Sequence, residues 1–402
     1  MTDTDRSAAP LAGVRVLELA GMYAAPTTGR LLRDFGAEVI KVEDPATGDG
    51  ARHWVPQKGG VGLGFTRLNT GKRSVGIDLR TREGQQLVRR LAAEADVVIE
   101  SFRPGRLEQW GLGWEDLAAL NPRLVMARVS GFGQTGPYAE RPGFGTIAEA
   151  MSGFAFINGW PETPPTAPPF GFADSIAGFA AAYGVAMALY RREHTGRGDL
   201  VDVALYEPLM FILGDAVLRW TASGEITERQ GNATGAASPR GIYQASDGRW
   251  LAIAASSQRI AERLFVAIGR PEMNEDVRYA TASARLEHDE QIQPILADWI
   301  AERTRDEVLA VLGEHQVVAA PVNDARDVAE DPHFRERSLV PMSSKVLGEV
   351  LMPGPILHTG TYQGPDYTDA PTIGADTRAV LEEVLGLDDA ALDELRERGV
   401  TD

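Results

Sequence analysis

The sequence predicts an α/β protein with a large domain on a doubly wound parallel sheet and a smaller α+β domain. Three observations carry this. From Val14 to Ser130, short β-branched runs alternate with helical segments, and strands separated by helices pair in parallel. The chain has 402 residues, 44% of them apolar, which is too long for one small domain and enough for a large core. At Ser223–Gly241 the composition turns polar and rich in Gly, Ala and Asn, which marks a boundary. The expected division is 1–222 for the large domain and 223–330 for the small one. Residues 331–402 form a return segment whose helices complete the large domain.

In chain order, Val14–Leu19 (VRVLEL) reads as a strand, Thr27–Phe35 as a helix ending at Gly36, and Glu38–Val42 as a second strand. Ser74–Leu79 is the third strand, Thr81–Glu94 an amphipathic helix, Val97–Glu100 the fourth strand and Leu124–Ser130 the fifth. Ligands of such sheets bind beyond the carboxyl ends of the strands, so the loops from Ala20, Glu43, Ser101 and Gly131 are the ones to watch. Pro168–Arg192 contributes a long helix, Leu200–Ala204 a strand and Glu207–Thr221 a helix. In the small domain, Ile242–Ala254 reads as a hairpin turning at Ser246-Asp247-Gly248. Helices follow at Arg259–Ile268, around Ala284–Arg303 and at Thr304–Glu314, then a strand at Val317–Val322. Pro332–Thr372 is extended, and Asp376–Gly399 reads as two short helices.

The formal net charge of −17 argues against nucleic acid or an anionic membrane as partner, because the whole-chain field repels both. The absence of cysteine removes disulfides, thiolate metal sites and a Cys nucleophile, and agrees with a cytoplasmic setting. The opening MTDTDRSAAP has no apolar core, so no signal peptide is expected. No apolar run reads as a bilayer span, the Pro168–Arg192 helix being too short and too rich in Ala and Gly. The six histidines have no ligand-like spacing, and no metal is expected. Gly131-Phe-Gly-Gln-Thr-Gly136 matches the literal dinucleotide fingerprint, but Pro137 and Tyr138 follow where a helix should open. Thr70-Gly71-Lys72-Arg73 fails as a phosphate loop, since Arg73 stands where a magnesium-binding hydroxyl is needed. Basic residues do gather near strand ends: Lys41; Arg67, Lys72 and Arg73; Arg103 and Arg106. Converging on half of a sheet, they form a candidate seat for a ligand with several phosphates.

The stretch PPFGFADSIAGFAAAYGVAMALYRR begins with Pro and Gly, reaches Asp174, and continues with small residues that let neighbours approach. Asp174 is expected at the N-cap, where free N–H groups and the helix dipole hold a carboxylate ionised. A purely capping Asp is the plain alternative.

Long ordered motifs set this carboxylate in context: LLRDFGAEVIKVEDPATGD, FTRLNTGKRSVGIDLRTREG, ADVVIESFRPGRLEQWGL, NPRLVMARVSGFGQTGPY and FADSIAGFAAAYGVAMALYRREHTGRGDLVDVAL. With LAGVRVLELA and VVAAPVNDARDVAEDPHF, they resemble the class III CoA-transferase family, from about Leu11 to the C-terminus. That family includes formyl-CoA and carnitine CoA-transferases and alpha-methylacyl-CoA racemase. The resemblance implies a Rossmann-like large domain, a smaller domain, and ring-shaped subunits interlocked in a homodimer. It places the catalytic aspartate on Asp174. It places CoA contacts on Met22, Tyr23 and Ala24; on Asn69, Lys72 and Arg73; on Ser101, Phe102 and Arg103; and on Ser130, Gly131, Phe132 and Gly133. Asp44 stands where some members carry a basic residue for the nucleotide end.

The implied reaction is CoA transfer. Asp174 attacks an acyl-CoA to give a mixed anhydride, CoA returns to give an aspartyl thioester, and an acceptor carboxylate completes the exchange. CoA and acyl-CoA are substrates, carboxylic acids the other partners, and no tightly bound cofactor is implied. Gly231 and Gly235 bracket the counterpart of a shielding loop, and Arg240 is a candidate for a second substrate carboxylate. Phe144–Pro169, with Trp160 and several prolines, and Ser223–Gly241 are expected to line the acyl pocket. Racemases in the family need an acid/base pair from a Gly-His-Asp motif and a small-domain glutamate. Here those places hold Gly143-Phe144-Gly145 and Ser256 or Ser257. A racemase and a CoA-binding protein without activity remain the alternatives. Dicarboxylic acids such as succinate are the donor class the resemblance implies.

Overall fold

The computed structural model describes residues 9–402, so most of the stretch read for a signal peptide lies outside it. Two compact units divide the chain. The first takes in the chain up to Ala155, Ala167–Gly224 and Arg335–Asp402; the second is Phe156–Thr166 and Glu225–Phe334. The excursion Phe156–Thr166 therefore leaves the first unit inside a stretch that the sequence reading ran unbroken to 222.

The first unit is built on β1 (Arg15–Leu19), β2 (Glu38–Glu43), β3 (Arg73–Gly76), β4 (Val97–Glu100), β5 (Val125–Ser130) and β6 (Leu200–Ala204). All pair in parallel, in the order β3-β2-β1-β4-β5-β6. The strands are nearly continuous in apolar residues because both faces of the sheet are covered. Successive side chains point to opposite faces. Val16, Val39, Val97, Ile99, Val125 and Val129 pack under α1 (Ala24–Arg33) and α4 (Phe172–Thr195). Leu17, Ile40, Val75, Val98 and Met126 pack under α2 (Arg82–Ala93) and the helices Thr377–Leu385 and Asp389–Glu397. Each such fully buried Val, Leu or Ile contributes about 1.5–3 kcal/mol. The chain winds one way from β1 to β3 and the other way from β4 to β6, so the order reverses between β1 and β4, where doubly wound sheets open a crevice.

Helix α3 (Gly145–Met151) lies against α4, as does α5 (Tyr206–Ile212). The helix expected at Glu207–Thr221 breaks at Gly214, whose φ of +72° suits glycine, and resumes at Ala216–Ser223. α4 is 24 residues long and apolar enough, by length and composition, to cross a membrane, contrary to the expectation that it falls short. In the fold, Ala173, Ala177, Ala181 and Val185 on one side of it are buried in the sheet core. Leu339–Ser344 and Gly348–Pro353 form an antiparallel hairpin in the stretch read as extended.

In the second unit, Arg240–Gln244, Trp250–Ala254 and Ala319–Pro321 form an antiparallel sheet, and Gly248 makes the expected turn at φ +75°. Helices Gln258–Ala267, Asp289–Ala301 and Arg305–Glu314 bury Leu264, Leu296 and Leu312 against it. Thr304 starts the last of these with a capping box to Glu307.

Candidate active site

Asp174 is not the N-cap of α4. Gly171 is, and Asp174 falls in the first turn with no capping hydrogen bond from its side chain. Among the described residues no hydrogen bond reaches its carboxylate. Two glycines make room for it instead. A methyl group on Gly145 would collide with Asp174 Oδ2, and one on Gly171 would stand 3.1 Å from it. Gly145 is brought there by another close approach, because a methyl group on Gly131 would come within 2.7 Å of the Gly143 Cα. The glycines of the failed dinucleotide fingerprint thus serve chain packing and turns, with Gly133 and Gly136 at φ +79° and +91°, and no helix opens before Gly145.

The missing hydrogen bond at the head of α4 comes from α3. Glu149, only 2% exposed, accepts from the Ala173 N–H at 3.2 Å. Burial first, and then the charge of Glu149, push the Asp174 carboxyl up to about 6. The helix end was expected to hold this carboxylate ionised; standing inside the first turn, without a hydrogen bond among the described residues and desolvated, it is instead easier to protonate than a free aspartate. Phe172 packs beside Phe154 and Phe170, with ring centroids 5.0 and 6.0 Å away, at the start of the same helix. On the other flank stands Tyr23, whose ring would lie 3.4 Å from a methyl on Gly171. Its hydroxyl receives hydrogen bonds from Arg67 (2.6 Å) and Ser175 (3.3 Å).

Beyond Tyr23 the crevice opens at the carboxyl ends of β1 to β4, as a cavity of about 280 Å³. Gly21, Met22 and Phe102 line it, together with Asp44, Arg80 and Trp110. Phe102 meets Trp110 edge-on at 5.3 Å, a geometry that leaves an apolar wall fit for a flat ring. Met22 has φ +71°, and its N–H is held by Asp49 at 2.9 Å. Such strain in a non-glycine residue persists only where the surroundings enforce it. Arg80 and Trp110 were missed by motif reading; their signal was position alone, just past β3 and β4. Arg80 pairs with Asp44 (3.1 Å) and Asp78 (2.8 Å), and all three are in the lining.

The convergent basic cluster does not form. Lys72 and Asn69 are buried: Lys72 Nζ bonds Glu18 (2.7 Å), Pro26 O (3.0 Å) and Asn69 Oδ1 (2.9 Å). Burial lowers the Lys72 ammonium to about 8. Lys41 is buried on the other oxygen of Glu18, at 2.9 Å. Ala24 is buried in the first turn of α1, facing Gly178 of α4. Arg73 opens β3, which puts it at the amino end of the sheet, paired with Glu38 (2.6 Å) and Glu383 (2.9 Å). There it helps line a second cavity, of about 860 Å³, with Arg33, Tyr362 and Asp366, away from the strand ends that hold Met22. Of the basic set, Arg103 is exposed, with no partner for its guanidinium among the described residues, next to exposed Ser101, and Arg106 lies 5.5 Å over Trp110. Ser130 and Phe132 are buried at the end of β5, the ring of Phe132 packing on Tyr138 and Tyr206.

Gly231, Gly235 and Arg240 all belong to the second unit. Gly231 donates to Gly159 O at 2.9 Å and lies flat on Trp160, where a side chain would collide with the indole. Arg229 bonds Phe156 O (2.6 Å) and Trp160 O (3.3 Å). The loop is thus fastened to the excursion rather than free. Arg240 is exposed, and its guanidinium has no partner among the described residues.

A doubly wound parallel sheet with a crevice at its switch point is an architecture of ligand-handling α/β proteins. The profile of CoA-transferase family III matches residues 11–377, and the chain belongs to that family. Succinyl-CoA–D-citramalate CoA-transferase of Chloroflexus aurantiacus is 43% identical over 394 residues, spanning 97% of this chain and 98% of that one. The beta subunit of succinyl-CoA–L-malate CoA-transferase from the same organism is 40% identical, over 97% and 98% of the two chains. A CAIB/BAIF family protein from Brucella suis, of known crystal structure, superposes with a TM-score of 0.83 at 35% identity, covering 93% and 99% of the chains. The chain is a CoA-transferase.

Proposed function

We propose that this enzyme moves CoA from a small dicarboxylic acyl-CoA, succinyl-CoA first, to a second small carboxylic acid, with Asp174 as the covalent nucleophile. The observation that carries the reading is the state of that carboxylate, which has no hydrogen bond among the described residues and is closely packed by Gly145 and Gly171, with Tyr23, the chain neighbour of the crevice-lining Met22, on its flank. An Asp Oδ attacks the thioester carbon. The new C–O bond forms, the C–S bond breaks, and its electron pair leaves on the CoA sulfur as thiolate. The thiolate then attacks the Asp174 carbonyl of the anhydride, releasing the donor acid as its carboxylate. The acceptor carboxylate attacks the aspartyl thioester, and CoA returns to the new acyl group. No oxidant and no metal is needed, so we assign CoA as substrate and no resident cofactor.

The acyl-CoA nucleotide is assigned to the cavity of Met22, Phe102 and Trp110, with Arg103 and Arg80 for its phosphates. Ser130 to Gly133 shape the floor. Arg240 is assigned to the distal carboxylate of the acid, and the Gly231–Gly235 loop to shielding the intermediates. The dicarboxylic class rests on the two Chloroflexus relatives, both succinyl-CoA transferases. We further assign a homodimer of interlocked subunits in the cytoplasm. An acid/base racemase is disfavoured because Phe144 is 66% exposed and cannot carry a proton, and Gly145 has no room for a side chain beside Asp174. Ser257 is engaged as the N-cap of Gln258–Ala267.

Covalent trapping tests this. The protein is incubated with succinyl-CoA, other dicarboxylic, short and branched acyl-CoAs, quenched with hydroxylamine or borohydride, and mapped by mass spectrometry. An adduct on the Asp174 peptide with succinyl-CoA, absent in Asp174→Ala, is expected. Turnover with no adduct and an active Asp174→Ala would sink the nucleophile. Unchanged affinity for every dicarboxylic donor in Arg240→Ala would sink the role of that cation.

A further inference from the structure

We propose that Glu149 is a positioning residue for CoA transfer: it caps α4 from α3 in place of Asp174, and its negative charge, set beside the freed carboxylate, favours the acylated state of Asp174. The inference rests on Asp174 being the nucleophile, but its test does not.

Three observations carry it. First, the two helices meet through an i, i+4 pair on α3, with Gly145 and Glu149 on the same face one turn apart. Gly145 gives up its side chain so that the Asp174 carboxylate can lie against the helix, and Glu149 reaches past it to the Ala173 N–H at 3.2 Å. Second, Glu149 is buried, and its bond to the Ala173 N–H is the one hydrogen bond its carboxylate makes among the described residues. A buried carboxylate without a cation is costly to keep, and a structural cap would be served as well by a neutral Gln. Third, the charged groups on the other elements packed at this end are engaged elsewhere. Arg67 is on the Tyr23 hydroxyl, Asp202 of β6 accepts from the Gln134 N–H, and Glu207 of α5 accepts from the Ala204 N–H. Glu149 is the group whose charge shifts Asp174.

The consequence is electrostatic. In the resting enzyme, the half-buried Asp174 carboxylate feels the charge of the buried Glu149, and neither is ion-paired among the described residues. When Asp174 attacks the thioester, its charge passes to the departing CoA sulfur, and when the donor acid leaves, the charge leaves with it. Either way the repulsion from Glu149 is relieved as the acyl-enzyme forms. Glu149 also makes Asp174 a more basic, and so a stronger, nucleophile than a capped aspartate. It touches neither substrate nor reacting atom.

The experiment compares the wild-type chain with Glu149→Gln, which retains an oxygen for the Ala173 N–H and removes the charge. Glu149→Met, neutral and of similar length, repeats the comparison should the buried amide prevent folding. The readout is the pH at which Asp174 is half-modified by a water-soluble carbodiimide, followed on its own peptide by mass spectrometry, with no acyl-CoA present. The wild-type midpoint is expected near 6. In the neutral variants it should fall by about one pH unit, with the acid limb of kcat/KM moving by the same amount. The fraction of enzyme trapped as acyl-Asp174 at saturating succinyl-CoA should fall several-fold. A midpoint that stays in place in the neutral variants overturns the proposal. A wild type that forms no adduct on Asp174 overturns the nucleophile instead, and the carbodiimide midpoint still decides the role of Glu149.

Discussion

At the scale of single residues, Asp174 inverts the usual link between a helix-end carboxylate and stability. Its folded-state carboxyl lies above the ordinary value of 3.8, at about 6, so the fold prefers it protonated. Keeping it charged therefore costs stability, in full above about pH 6 and not at all below the ordinary value. Asp174→Asn should stabilise the protein at pH 8 by up to ~3 kcal/mol, a gain that shrinks through pH 6 and is gone by about pH 4. Urea melts at the three pH values measure it; an Asn variant less stable at pH 8 would restore the capping role. Activity should run the other way, with kcat/KM falling tenfold per unit below about pH 6 as the nucleophile is protonated. Gly145→Ala is the matching steric probe. The added methyl lands on Oδ2 of a short side chain that cannot retreat far. A displacement of under an ångström is enough to lower kcat by about 100-fold, with the circular dichroism spectrum unchanged. Full activity in Gly145→Ala would mean that the carboxylate acts from another position.

At the scale of elements, the parallel strands and their covering helices were legible because burial on both faces writes long apolar runs. Val97–Glu100 was read to the residue for that reason. The basic cluster was misread because charge in a sequence carries no depth. Lys41 and Lys72 read as ligand-facing, but they end in the protein on the two oxygens of Glu18, beneath the turn that carries Met22. Arg73 was misplaced by direction: it begins its strand, and parallel strands present only their far ends to the crevice. The position of Asp174 in α4 missed by one turn, since the sequence shows the carboxylate but not that the helix begins at Gly171, with Glu149 of a separate helix accepting from the Ala173 N–H. The buried ion cluster gives a prediction of its own. In Glu18→Gln, Lys41 keeps Asp49 at 2.9 Å, whereas Lys72 keeps only Asn69 and a carbonyl. Breaking a buried pair costs about 3–5 kcal/mol, and the low end is expected here because Lys72, already lowered to about 8, can shed its proton. A denaturant midpoint unchanged by Glu18→Gln would show the cluster to be dispensable. If the cluster also sets the Met22 turn, KM for the acyl-CoA should rise more than kcat falls.

At the scale of the whole molecule, α4 is two-sided. One side is the small-residue stripe in the core; the other shows Phe179, Tyr183, Met187 and Tyr190 to solvent, with Tyr183 70% exposed. Nearby in the same unit, Phe211, Leu218 and Trp220 are exposed as well. Soluble proteins seldom leave so many large apolar groups uncovered together without a partner. A second copy is the occupant the proposed function calls for, and a different subunit is the competing one. Sedimentation should give twice 43.4 kDa at micromolar concentration for the chain expressed alone, and Tyr183→Lys with Met187→Lys should lower the yield of dimer on refolding from denaturant. A monomer at every concentration would point to a different subunit. Interlocking makes a sharper demand than dimerisation. Chains threaded through each other cannot part by dilution, whatever the strength of the interface, because separation requires one of them to open. Tagged and untagged dimers mixed at native pH should therefore exchange no subunits over a day, and should exchange after passage through denaturant. An apolar face of ordinary docking type would instead exchange at its own dissociation rate, and steady mixing over hours would identify two subunits that touch without being linked.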